Sequence, residues 1–184
     1  MTMTAHERQL LRSAAFQSVE FGLMQHRQMS VSSTDYPESL RVEKATFVTL
    51  RQGGELLGCI GTLRPHRPLV CDVVHNAYHA AFSDPRFAPL TAAHLPALDL
   101  HISILGPLER LQVSSEDDLL AQLRPGVDGL LVEEGDLAAT FLPAVWTRLT
   151  APRTFVRLLK EKAHLPADYW SPTLKAYRYT ADEL

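Results

Sequence analysis

Two short runs of strand-forming residues flank a glycine pair, and this arrangement constrains the fold more than any other part of the chain. The first run, residues 45–50, is rich in β-branched and aromatic residues. The second run, residues 55–60, begins directly after Gly53 and Gly54. Glycine adopts the positive φ angles that tight turns require, so the pattern predicts a β-hairpin.

The remaining periodicity predicts an α+β fold. Apolar residues at helical spacing predict helices, which we place at residues 5–25, 69–82, 116–123 and 152–163. Alternating apolar and polar residues predict a strand at 99–105, a second hairpin at 129–133 and 137–141, and an edge strand at 174–179. Strands that come mostly as hairpins, with helices before and after them, indicate a mainly antiparallel sheet flanked by helices. We expect one domain, residues 1–184, with an N-terminal helix and loop over 1–44.

Composition narrows the class of protein. The 184 residues carry a net charge of −3, which argues against a nucleic-acid-binding surface, because such surfaces are usually strongly basic. Only two cysteines occur, so we expect reduced thiols in a cytoplasmic protein rather than a disulfide-stapled secreted one. No stretch approaches the ~18 consecutive apolar residues of a membrane span.

The segment from Gly58 to Gly61 has an unusual composition for a strand. Glycine packs nothing and loses much backbone entropy in a strand, so Gly58 and Gly61 predict a close approach of another chain segment or a ligand. Cys59 lies between them. One hypothesis makes Cys59 a nucleophile or a ligand contact; the other makes it a small buried residue, as free cysteine usually is. Ile60 and Thr62 belong to the same candidate site.

Three more side chains are candidates for that site. Arg86 can bind a carboxylate or phosphate of a substrate through its planar guanidinium, or it can pair locally with Asp84 at the end of a helix. His101 is in phase with Asp99 on the polar side of its strand, so it is either a general base or a solvent-facing residue. Glu109 is a possible partner carboxylate at the end of the same sheet.

Cys71, His75 and His79 form one stripe on a predicted helix. The first and last of them are separated by eight residues, about 12 Å along a straight helix, and this is too far for both to bind one ion. We therefore predict no metal site and no cofactor.

Several motifs, taken in order, resemble the AMMECR domain family, whose signature is usually written Leu-Arg-Gly-Cys-Ile-Gly. They cover about residues 45–180 and lie at 47–50, 53–62, 81–90, 101–109, 126–130 and 139–143, with Leu159, Lys162 and Ala163 in the closing helix. The resemblance implies a larger and a smaller lobe with the signature residues in a cleft between them. This chain has Leu57 where the family has arginine, so any role of that arginine is either lost or supplied by Arg51, Arg64 or Arg86.

The resemblance also implies partners. Bacterial members of the family resemble component A of the AmmeMemoRadiSam set, together with a Memo-like protein and a radical-SAM protein. The first functional hypothesis is an enzyme or enzyme component that acts on a small molecule or a protein side chain with those partners. In it Cys59 is the thiol, His101 is the base, and Arg86 with Asp84 is the pair that orients the substrate. The second is a non-catalytic adaptor that binds a ligand or a protein and in which Cys59 only packs.

Overall fold

The computed structural model describes residues 3–184 and confirms the α+β class, with two four-stranded antiparallel sheets and helices packed on them. The α-helices are α1 (Ala5–Gln25), α2 (Leu69–Phe82), α3 (Glu116–Gln122) and α4 (Pro152–Lys162). The strands are β1 (Thr46–Gln52), β2 (Glu55–Gly61), β3 (Leu98–Leu105), β4 (Glu109–Leu111), β5 (Gly129–Glu134), β6 (Leu137–Phe141), β7 (Lys175–Tyr179) and β8 (Ala181–Glu183). Short 3-10 turns occupy Ser33–Asp35, Glu38–Leu40, Ala92–Ala97 and Pro143–Thr147.

The chain divides into a larger and a smaller unit, as the family resemblance implies. The larger unit runs to Leu105 and takes in Asp182–Leu184, and the smaller unit is Gly106–Ala181. The sheet of the larger unit has the strand order β2-β1-β3-β8, and that of the smaller unit β4-β7-β5-β6. Within residues 3–184, no helix is both long enough and apolar enough to cross a bilayer.

The larger unit buries one face of its sheet against α1 and α2. Alternate residues of β1 and β3, such as Val48, Leu50 and Ile102, are fully buried in a core with Leu11 of α1 and Val73 of α2. The opposite face therefore carries the residues between them, and it is called the polar face below. Its members include Phe47, Thr49, Arg51, Cys59, Gly61, Asp99, His101 and Ser103.

The first helix begins where its sequence places a cap. Thr4 accepts a hydrogen bond from the Glu7 amide, and the Glu7 carboxylate accepts one from the Thr4 amide. This reciprocal pair satisfies amides that have no partner inside the helix, and such caps typically contribute about 1 kcal/mol. Glu7 also accepts from Ser39, and these hydrogen bonds lower its pKa to about 2.

The smaller unit has its own core, and it corrects one prediction. Trp146 stacks on Phe155 with ring centroids 3.8 Å apart, and the Trp146 indole donates to the Asp128 carbonyl at 2.7 Å. The predicted edge strand at 174–179 is β7, which lies inside its sheet between β4 and β5. The edge assignment was wrong because β4 has only three residues, Glu109–Leu111, too few to give a periodic signal in the sequence.

Candidate functional site

Cys59 and His101 lie in one row across the polar face. Both are paired with Thr49 of the central strand β1, Cys59 from β2 and His101 from β3. Residues that pair directly across antiparallel strands project to the same side of the sheet. Neighbouring strands are about 4.8 Å apart, so the Cys59 and His101 backbones are separated by about 9–10 Å. The imidazole and the thiol are therefore on the same side but not in direct contact.

Each end of this row has a polar partner. The Thr49 hydroxyl donates a hydrogen bond to Cys59 Sγ at 3.3 Å. The His101 Nε2 lies 2.8 Å from a carboxylate oxygen of Asp99. Cys59 and Thr49 are half-buried, whereas His101 and Asp99 are exposed, so the row runs from a sheltered thiol to an accessible imidazole–carboxylate pair.

The main chain of Cys59 is bound by the predicted pair Asp84 and Arg86. The Cys59 amide donates to Asp84 Oδ2 at 2.9 Å, and Arg86 Nη2 donates to the Cys59 carbonyl at 2.9 Å. Within residues 3–184, β2 is an edge strand, so its outward amide and carbonyl at Cys59 face no described strand. Asp84 and Arg86 fill this role, and they thereby hold the backbone of the thiol residue in place.

Asp84 and Arg86 also bind each other strongly. Arg86 donates from Nε at 2.9 Å and from Nη2 at 2.7 Å, so the ion pair is bidentate. The Asp84 side chain is 1% exposed, and that of Arg86 is 52% exposed. The hydrogen bonds from Arg86 lower the pKa of Asp84 to about 2, with further help from the Cys59 amide, and Asp84 raises the pKa of Arg86. Arg86 thus pairs locally with Asp84 while half of its guanidinium remains accessible to a substrate anion, so the two roles predicted for it are compatible.

The two glycines of the signature are explained by close approach of other chain segments, one of the two origins predicted for them. A Cβ built on Gly58 would lie 2.0 Å from the Ala80 carbonyl oxygen in α2, and a Cβ on Gly61 would lie 2.2 Å from the Phe47 ring. Neither position has room for a side chain. Ile60 lies between them and packs against the core of the larger unit, away from the polar face.

Leu57 is the extra residue of a β-bulge. Leu50 is opposite Gly58 but Arg51 is opposite Leu56, which leaves Leu57 unpaired in the ladder. Its side chain packs against the core of the larger unit. Of the arginines proposed to supply the role of the family arginine, Arg86 donates to the Cys59 carbonyl, whereas Arg51 donates to the nearby Gly54 carbonyl.

Thr62 belongs to a buried polar network that sequence reasoning missed. Asp72, fully buried in α2, accepts hydrogen bonds from Thr46, Thr62, Asn76 and Arg67. These bonds join the ends of β1 and β2 to the first turns of α2. The only local signal is an acid at helical position 72 with an asparagine four residues later, and it does not reveal partners 26 residues away.

Glu109 lies elsewhere in the fold. It begins β4, in the sheet of the smaller unit, so its placement at the end of the His101 sheet was wrong. The misplacement arose because Gly106-Pro107 ends one strand and the chain enters the other sheet within three residues. Arg178 binds the Glu109 carboxylate with two hydrogen bonds, at 2.9 and 2.6 Å, and these lower the Glu109 pKa.

The stripe on α2 is formed as predicted, with the His75 and His79 rings 4.2 Å apart. Burial lowers the pKa of His75 to about 4 and raises that of Cys71. Within residues 3–184, no three histidine, cysteine or acidic side chains are grouped so that they would hold a metal ion.

Comparison with known proteins shows the family of this chain. The family model AMMECR1 matches residues 12–184, which include every candidate residue above. The chain belongs to the AMMECR1 family. A protein of Methanothermobacter thermautotrophicus is 38% identical over 149 residues, covering 80% of this chain and 78% of its own. A protein of Thermofilum pendens is 33% identical over 195 residues, covering 97% of this chain and 89% of its own.

The fold of this AMMECR1-family member is also found in a solved structure. The crystal structure of the uncharacterized protein PH0010 from Pyrococcus horikoshii superimposes with a TM-score of 0.91 at 29% identity. The match covers 98% of this chain and 92% of that one, so it extends over both units. The names of these relatives state no activity.

Proposed function

We propose that this AMMECR1-family protein is an enzyme or enzyme component that uses the Cys59 thiol on a small molecule or protein side chain bound across the polar face. The observation that supports the proposal most is the row Cys59–Thr49–His101, with a hydroxyl on the sulfur and a carboxylate on the imidazole. A hydroxyl that donates to sulfur stabilises negative charge there, and the thiolate is the nucleophilic form of cysteine.

The spacing sets how the two groups would cooperate. About 9–10 Å separates the Cys59 and His101 backbones, so a substrate of several atoms would lie above Thr49 between them. The Cys59 thiolate would add to an electrophilic carbon while the bond from that carbon to a leaving group breaks. His101, oriented by Asp99, would give its proton to the leaving group and take one back from the water that frees the product from sulfur. Arg86 would orient an anionic part of the substrate with its accessible half.

The cellular setting is part of the same proposal. Cys59 and Cys71 are both free thiols, in keeping with a reducing cytoplasm. The Memo-like and radical-SAM proteins would be the partners that supply or consume the substrate. Co-expression of the three proteins, with recovery of this chain through a tag on either partner, tests that association. Failure to recover such a complex would contradict the proposed association with these partners.

Thiol labelling tests the reactivity of Cys59. Cys71→Ser leaves only Cys59 and Cys59→Ser leaves only Cys71, so the two variants form a matched pair for iodoacetamide alkylation followed by intact mass. We expect Cys59 to react at least about tenfold faster at neutral pH, because burial raises the pKa of Cys71. Thr49→Val in the Cys71→Ser background should slow alkylation. Equal rates for Cys59 and Cys71 would contradict a catalytic thiol.

A non-catalytic adaptor is the second candidate, and a specific observation favours it. Gly58 and Gly61 are each explained by packing, and the Cys59 main chain is held by Asp84 and Arg86. The signature can therefore exist to build this sheet edge rather than to present a thiol. In that case Cys59→Ser would retain partner binding, and Cys59 would be no more reactive than Cys71.

A further inference from the structure

A groove of about 410 Å3 lies between α1 and β3 in the larger unit. Its walls are formed by residues of α1 on one side and of β3 on the other: Gln9, Arg12, Ser13, Phe16, Gln17 and Glu20, and Leu98, Asp99 and Leu100. The three charged side chains in this lining are Arg12, Glu20 and Asp99, so the groove carries a net charge of −1.

The β3 side of the groove is a sheet edge. Ile102 of β3 and Leu184 exchange two main-chain hydrogen bonds, of 3.2 and 2.9 Å, at the end of the β8 pairing. Among the described residues, no strand lies beside Leu98–His101 on that side. Main-chain groups two residues apart in a strand point the same way, so Leu100, like Ile102, directs its amide and carbonyl into the groove. The Leu98 amide already donates to the Leu95 carbonyl, but the Leu98 carbonyl points into the groove like that of Leu100.

The other wall of the groove is formed by α1, which runs along the direction of β8. Arg8 Nη1 donates to the Glu183 carbonyl at 3.2 Å, which places the start of α1 at the end of β8. Arg12, Phe16 and Glu20 follow at four-residue steps. Arg12 and Glu20 are eight residues apart, about 12 Å along the helix, which is the length of three to four residues of an extended strand.

We propose that this groove binds an extended peptide segment, which adds to β3 as an antiparallel strand and in which apolar and basic residues alternate. Peptide residues opposite Leu98 and Leu100 would face α1, where Phe16 favours an apolar side chain. The residue opposite Asp99 would lie on the polar face beside a carboxylate that is 55% exposed. A lysine or arginine there forms a favourable cross-strand pair, in agreement with the net negative lining. Strand addition of this kind takes affinity from the main chain and specificity from alternate side chains.

Fluorescence anisotropy with a labelled peptide of alternating valine and lysine tests this binding mode. The valines would occupy the hydrogen-bonded positions opposite Leu98 and Leu100. N-methylation of the valines should therefore abolish binding, whereas N-methylation of the lysines should leave it. A peptide with glutamate in place of lysine should bind about two- to fivefold more weakly. Equal binding of both N-methylated peptides would overturn strand addition, and no binding of the unmodified peptide would overturn the proposal.

Three protein variants locate the binding. Ser13→Trp fills the groove from α1 and should weaken binding at least about tenfold, whereas Gln25→Trp, exposed on the same helix, should not. Asp99→Lys should reverse the preference from lysine to glutamate peptides. Circular dichroism confirms that each variant is folded. Unchanged binding by folded Ser13→Trp would contradict the groove. Cys59→Ser should bind the peptide like the wild type, so the result is separate from the fate of the thiol proposal.

Discussion

Replacing Asp84 by asparagine removes the charge that binds Arg86 and accepts from the Cys59 amide. The Asp84 carboxylate is almost fully buried, and its pKa is lowered from 3.8 to about 2. This difference of about 1.8 corresponds to about 2.4 kcal/mol at about 1.36 kcal/mol per pKa unit. Arg86 is half exposed, and solvent screens its part of the interaction, so we expect Asp84→Asn to cost about 1–2 kcal/mol at neutral pH.

The pH dependence has a definite sign. A carboxyl whose folded pKa lies below its unfolded value stabilises the fold above the unfolded value, and this contribution is lost as the pH falls through the folded pKa. The difference in stability between wild type and Asp84→Asn should therefore be constant above about pH 5 and shrink between about pH 4 and pH 2. Asp35→Asn, at an exposed position in the same unit, is the matched control and should show no such change.

The assay has to report on the larger unit. Both tryptophans, Trp146 and Trp170, lie in the smaller unit, so their fluorescence follows the wrong part of the chain. Far-UV circular dichroism follows α1 and α2, which have 21 and 14 residues. Urea unfolding monitored in this way gives the free energy of unfolding at each pH. If Asp84→Asn is as stable as Asp35→Asn at neutral pH, the ion pair does not hold this edge of the sheet as argued.

Three further predictions concern packing and charge. Gly58→Ala should lower the free energy of unfolding by about 1–3 kcal/mol, because its Cβ would meet the Ala80 carbonyl at 2.0 Å; an unchanged urea midpoint would contradict the close approach. The pKa of His75 is about 4 in the folded protein, so its contribution to stability is present above the unfolded value of 6.5 and is lost as the pH falls toward 4. His75→Asn should therefore make the Tm less dependent on pH between pH 4 and pH 6.5. An unaltered dependence of Tm on pH would refute this. Lys160 is fully buried and forms an ion pair with Glu116. Glu116→Gln removes the charge that pairs with Lys160, so it should lower the free energy of unfolding by about 3–5 kcal/mol, measured by tryptophan fluorescence. Lys160→Met should lower it less, and a larger loss for Lys160→Met than for Glu116→Gln would contradict the burial argument.

Much of the local structure could be predicted from the sequence alone. Helical periodicity predicted α1 at residues 5–25, where the structure has it at Ala5–Gln25, and Gly53 and Gly54 turn the first hairpin with φ of 58° and 85°. The alternation of β3 puts Asp99 and His101 on the polar side. These features depend on interactions within a few residues, so the local pattern of apolar residues, caps and glycines is sufficient to specify them.

The candidate site needed the tertiary structure. Sequence placed Cys59, Asp84, Arg86 and His101 in one site, but it did not show that Asp84 and Arg86 bind the main chain of Cys59, 25 and 27 residues away. Nor did it show that Glu109 joins a second sheet and that β7 lies in its interior. These outcomes depend on which strands pair and which edge remains open. Pairing between distant segments is decided by how the whole core packs, and no local pattern records it.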